Sequence, residues 1–262
     1  MGSTPTERTI KNLSARLVVA LYLCVETEGR ENVKDETRQK VEAEIKDWQY
    51  PAELPSEAHG FTLSLEHRVK DDIFDIFEYE NVPMHRSVYA YFHEETMEYK
   101  VRERVGLLEF CRIECIAGDV ASFEGLLRTH LDSILDGLVT YDPRNLGILV
   151  QEKNIDSWDY HAMLPDALEG FTLFIRPSEP IKITNGSVIV FDYEDFDTDS
   201  NFIIYYNVFR DEFFGESRVR NVPDISYDFD SKTIKELEEK LNRLLIPYLR
   251  KIREQAAKGE KI

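Results

Sequence analysis

The chain has 262 residues, 42% apolar and 31% charged, and its 50 acids against 32 bases leave a net charge of −18. That length and apolar content suffice for a core and for two domains, and 15 Phe with 13 Tyr argue against disorder. The acidity opposes phosphate backbones, and the longest apolar run, Leu17 to Val25, is too short to span a bilayer, so neither direct nucleic-acid binding nor membrane insertion is expected.

In chain order, residues 6–27 read as a helix through Ile10, Leu13, Leu17, Leu21, Cys24 and Val25, with Thr6 as cap and Gly29 as stop. Basic residues precede the apolar run without a small-residue cleavage site, so no signal peptide is expected. A second helix starts at Asn32 or Asp35 and reaches about Asp47. Pro51 and Pro55 mark a turn. Alternation then predicts strands at 60–68, 73–80, 87–94, 98–105 and 107–116. Gly118-Asp119 opens a helix whose Phe123, Leu127, Leu131 and Leu135 recur every fourth residue, with Gly137 closing it.

Residues 139–147 read as a linker, after which the order repeats. Trp48, Tyr50, Leu54, Pro55, Gly60, Phe61, Thr62 and Leu63 reappear 110 residues later as Trp158, Tyr160, Leu164, Pro165, Gly170, Phe171, Thr172 and Leu173. Beyond Leu63 the offset becomes 114, so that Phe77 and Tyr79 meet Phe191 and Tyr193, and Leu127 meets Leu241. Such a period is a domain rather than a solenoid unit. The four inserted residues are expected at about 176–187, where Pro177, Pro180, Asn185 and Gly186 supply turn chemistry. Strands follow at 170–176, 187–194, 201–209, 213–220 and 224–229, then a helix over 231–255, capped by Asp230 or Ser231 and containing Pro247. The tail after Ala257 reads as frayed.

These elements give an α+β fold: N-terminal helices, then two tandem copies of an antiparallel four- to five-stranded sheet, each covered by its long C-terminal helix. The domains are expected at 1–138 and 139–262. The third strands, with Tyr89 and Tyr91 in one copy and Tyr205 in the other, are apolar on both sides and so call for cover on both faces. The topology resembles the helix-covered antiparallel sheets of secretion-chaperone-like and helix-grip domains, a likeness that carries no motif and implies no function.

No phosphate loop, nucleophile elbow or zinc-protease helix is present; His93-Glu94 lacks the second histidine, since residue 97 is Met. Asp192, Glu194, Asp195, Asp197 and Asp199 put five acids into eight residues, three at calcium-loop spacing, but Ser200 and Tyr206 stand where that loop needs Gly and Glu. Asp75 with Glu98 and Lys100 has the residue types of a magnesium nuclease site, an arrangement that the negative charge disfavours. The three cysteines, with Cys111 and Cys115 close in sequence, read as reduced thiols in a cytoplasmic protein.

The expectation is a non-catalytic acidic binding or adaptor protein that holds a basic or amphipathic segment of another protein, with no cofactor and no bound metal. Residues 186–230 carry 11 acids and three bases, which points to a contact surface made of Asp192, Glu194, Asp195, Asp197 and Asp199 together with Tyr89, Tyr91 and Tyr205. Two alternatives are a metal-dependent hydrolase or nuclease built on clustered carboxylates, and a small apolar ligand held between sheet and helix.

Overall fold

A computed structural model describes residues 33–183 and 186–258 of the chain. The helix expected over 6–27 and the tail beyond 258 lie outside the described residues. The described residues form two compact units, 33–141 and 142–258, here called copy one and copy two.

Copy one comprises α1 (Asp35–Ile45), α2 (Tyr50–Glu53), β1 (Glu57–Ala58), β2 (Phe61–Ser64), β3 (Arg68–Lys70), β4 (Ile73–Asn81), β5 (Arg86–His93), β6 (Glu98–Val105), β7 (Leu108–Ala117) and α3 (Val120–Val139). Copy two comprises α4 (Ile148–Glu152), β8 (Ala167–Leu168), β9 (Phe171–Ile175), β10 (Ile181–Lys182), β11 (Ser187–Asp195), β12 (Ser200–Asn207), β13 (Glu212–Val219), β14 (Val222–Ser231) and α5 (Ile234–Lys258). Each sheet has seven antiparallel strands. The order is β1-β2-β4-β5-β6-β7 with β3 beside β4, and β8-β9-β11-β12-β13-β14 with β10 beside β11. The count exceeds four or five because β1, β3, β8 and β10 are two or three residues long, too short to show a period.

The duplication holds at the level of single bonds. Tyr79 donates its hydroxyl to the Pro55 carbonyl at 2.6 Å, and Tyr193 donates to Pro165 at 2.7 Å. The indole N–H of Trp48 donates to Glu124 and that of Trp158 to Glu238, both at 2.7 Å. The ladder shifts between Asp75 and Phe77 and again between Ile189 and Phe191, at the same repeat position. The repeated glycine has a backbone reason. His59-Gly60 and Glu169-Gly170 are two-residue hairpin loops with positive φ throughout, at 51° and 82° and at 54° and 93°, a turn for which Gly is favoured.

The core of each copy lies between sheet and long helix. In copy one Phe92 packs on Tyr99 at 5.0 Å and Tyr99 stacks on Phe123 of α3 at 5.6 Å. In copy two Phe191, Phe202, Ile204 and Tyr206 meet Leu237, Leu241, Leu245 and Leu249 of α5. Asp119 caps α3 by accepting from the Ser122 amide at 2.8 Å, which draws its carboxyl below the ordinary value.

Three details differ from expectation, and the place of the insertion agrees with it. α3 runs through Gly137 and closes where the Thr140 amide meets the Asp136 carbonyl at 2.8 Å. Thr233 rather than Asp230 or Ser231 caps α5, taking the Glu236 amide at 3.2 Å, because Ser231 is still paired with Phe213 in the sheet. Trp158 is buried, whereas Trp48 is only half-buried. The inserted residues lie between β9 and β11 as expected, and the short β10 found there, whose Ile181 and Lys182 pair with Ile189 and Val188, is the counterpart of β3 beside β4.

Candidate functional site

Side chains alternate along a strand, so each sheet has one face toward its helix and one face away from it. In copy two the face away from α5 presents Asp192 and Glu194 of β11, Asn201, Ile203 and Tyr205 of β12, and Phe214, Glu216 and Arg218 of β13. All of these are buried. The Asn201 amide donates to Asp192 at 3.2 Å, Arg218 meets Glu216 at 3.3 Å, and Tyr205 stacks on Phe214 at 5.1 Å. Burial, reinforced by the neighbouring Glu194 charge, holds the Asp192 carboxyl well above its ordinary value. Burial also raises Glu216, against the pull of Arg218, and lifts the Tyr205 phenol.

The expected contact surface is therefore divided. Asp192, Glu194 and Tyr205 are exposed by 1% or less and Tyr89 and Tyr91 by 5% and 2%, so these five side chains are buried. The physical reason is that the middle strands are covered on both faces, and acids on such strands are taken inside with them. Asp197 and Asp199 are exposed, and Asp195 is half-buried. Asp195 has a local role: its carboxylate accepts from the Asp197 amide at 3.1 Å and the Thr198 hydroxyl at 2.8 Å, closing the β11–β12 turn. Asn81 does the same in copy one by accepting from the Met84 amide at 3.1 Å.

The face of copy one away from α3 is a ladder of charge pairs. Arg102 lies over the Tyr89 ring at 4.4 Å and bridges Asp75 at 3.1 Å and Glu109 at 3.4 Å. Arg104 bonds Glu80 at 2.8 Å and Ser87 at 2.9 Å, and Arg68 meets Glu78 at 3.2 Å. Tyr89 thus serves as a stacking platform for arginine. Asp75 is engaged by Arg102, and Glu98 by Lys100 at 3.1 Å. Burial raises the Asp75 carboxyl despite Arg102.

On this same face lies an open groove of about 380 Å³. Thr62 and Ser64 of β2, Arg68 of β3 and Glu78 and Glu80 of β4 form its polar wall, while Leu63, Val82 and Pro83 form an apolar lip. Val82 is 64% exposed. The equivalent position in copy two is Phe196, whose ring packs edge-to-face on Phe174 at 5.6 Å. An aromatic pair thus stands in copy two where Ser64 and Val82 line the groove of copy one. The groove lies on the face away from α3 and not between sheet and helix. The replacement of Phe196 by Val82 is the one sequence signal that could have revealed it.

A second polar cluster stands at the far end of β5. Asp72, His93 and Glu95 bring three donor atoms within 4.8 Å of one another. Comparison with known protein families, with curated proteins and with solved structures gives no match. Among the described residues no helix is long and apolar enough to cross a membrane.

Proposed function

We propose that this is a non-catalytic binding or adaptor protein of the cytoplasm, and that copy one receives an extended, basic and amphipathic segment of another protein in its groove. The observation that carries the reading is the groove itself, at a place where copy two holds Phe174 against Phe196. Its chemistry suits such a segment. Glu78 is paired with Arg68 and Glu80 with Arg104, and a ligand lysine or arginine can share or replace either ion pair. Leu63, Val82 and Pro83 offer apolar contact to alternate side chains of an extended chain. The net charge of −18 steers basic segments toward the protein. The reduced thiols of Cys111 and Cys115 suit a cytoplasmic setting.

The test is an NMR titration of the full chain with a blocked hexapeptide of alternating Lys and Val, beside its Glu-Val counterpart. Saturable shifts at Thr62, Ser64 and Glu80 with the basic peptide alone are expected, and Val82→Phe should abolish them. No shift at these amides, or shifts indifferent to Val82→Phe, would overturn the reading.

A further inference from the structure

We propose that Asp72, His93 and Glu95 form a binding site in copy one for a divalent transition-metal ion of the zinc class. The site is independent of the groove. An ion with imidazole and carboxylate ligands at its usual distance separates two tetrahedral donors by about 3.4 Å. His93 Nε2 and Asp72 Oδ2 are already 3.2 Å apart. Glu95 is exposed, and its carboxylate lies within 4.8 Å of both, so a side-chain rotation brings it to the third position. One imidazole with two carboxylates suits zinc-like ions better than magnesium or calcium, which favour all-oxygen sites.

The surroundings of His93 fit a ligand role. Its Nδ1 is 3.0 Å from the Thr96 hydroxyl, which can accept the Nδ1 proton and leave Nε2 free for the metal. Lys100 Nζ stands 3.5 Å from the same Nδ1 and is held by Glu98 at 3.1 Å. Lysine can only donate, so it competes for that nitrogen and favours the tautomer that cannot ligate. Lys100 is thus the group that limits the affinity. In copy two the three equivalent positions are Gly186, Asn207 and Phe209, with the Phe209 ring lying against Gly186. One repeat therefore carries the full donor set, and the other has an aromatic ring at that place.

Binding would also reach α1. The Asp72 carbonyl accepts the Glu94 amide at 2.8 Å, and the Asp71 carbonyl accepts the Val33 amide at 2.6 Å. Glu94 in turn accepts from the Lys34 amide at 3.2 Å and the Thr37 hydroxyl at 2.6 Å. An ion that fixes Asp72 to His93 therefore steadies the residues that start α1.

The experiment is calorimetric titration of the full chain with zinc chloride in the presence of excess magnesium. One site is expected. His93→Gln and Glu95→Gln should each weaken it by about tenfold or more, and Lys100→Met should tighten it. Amide exchange at Val33 and Lys34 should slow when zinc is added. Glu95 is exposed, so its variant keeps the fold and separates ligand loss from unfolding. No binding at about 1 mM zinc, or binding unchanged in both the His93 and Glu95 variants, would overturn the proposal.

Discussion

The two copies agree where the fold is made and differ where a ligand could be held. The tyrosine-to-proline bond, the indole-to-glutamate bond, the left-handed hairpin loops and the ladder shifts recur at the same repeat positions. Three differences stand out, two at loops and strand ends and one on the helix-side face of the sheet. Val82, on the lip of the groove, stands where copy two has Phe196. Asp72, His93 and Glu95 stand against Gly186, Asn207 and Phe209. Glu103 and Arg112, paired at 3.4 Å in copy one, stand against Ser217 and Ser226. A duplicated scaffold needs its hydrogen-bonded frame twice but a binding site only once, so contrast between repeats is a guide to function when no relative supplies one.

The largest expected effect tests the shared frame. Leu127 of α3 and Leu241 of α5 occupy equivalent positions and are both buried. Replacing either with Ala should cost about 2–5 kcal/mol, through lost transfer energy and the cavity left behind. Denaturant unfolding of the two variants should give costs within that range for both. A negligible cost in one copy would break the equivalence of the two cores.

The buried carboxyl of Glu103 offers a pH-dependent contrast. Burial, opposed by Arg112, pushes it up from 4.5 to about 7. Because the folded value is raised, the group is neutral in both states below pH 4.5. As pH rises the unfolded chain ionises first, and the folded state loses stability until pH passes the folded value. The rise corresponds to about 3 kcal/mol at most by pH 8. Glu103→Gln should therefore match the parent near pH 4 and exceed it in stability at pH 8. Parallel stability curves across that range would contradict the assignment. Ser217 of copy two cannot contribute such a slope.

A smaller effect tests the shared bonds. Tyr79→Phe and Tyr193→Phe each remove one hydroxyl and strand a proline carbonyl, and each should lower stability by about 1–2 kcal/mol. Losses of equal size confirm that the two bonds do the same work, and a loss in only one copy narrows the equivalence to geometry.

Much of the frame was readable because strand alternation and four-residue helix spacing are local patterns. β4 to β7 and β11 to β14 begin and end within two residues of the expected bounds. The site was not readable for three different reasons. Asp192 and Glu194 look like surface acids, and only the pairing of β11 with Asn201 and Ile203 of β12 reveals them as interior. The groove has Val82 where copy two has a ring, a contrast that no motif search detects. The metal cluster joins Asp72 to His93 across a hairpin register in which Ile73 pairs with His93, a long-range contact that spacing alone does not give.

The smallest effect on stability belongs to the acidic turn after β11, and it separates attraction from contact. Asp197 and Asp199 are exposed, whereas Asp195 closes the turn through two hydrogen bonds, so replacing all three would mix charge with structure. Asp197→Asn with Asp199→Asn removes two charges and leaves the cap in place. Surface changes of this kind alter stability by about 0.5 kcal/mol or less. If the groove of copy one makes the contact and the turn only adds to the field, binding of the Lys-Val peptide should lose association rate at low salt and be indifferent at high salt, with dissociation unchanged. Stopped-flow measurement across a salt series reads both rates. A faster dissociation in the double variant would mean that the turn itself touches the ligand, and the groove would not be the sole contact.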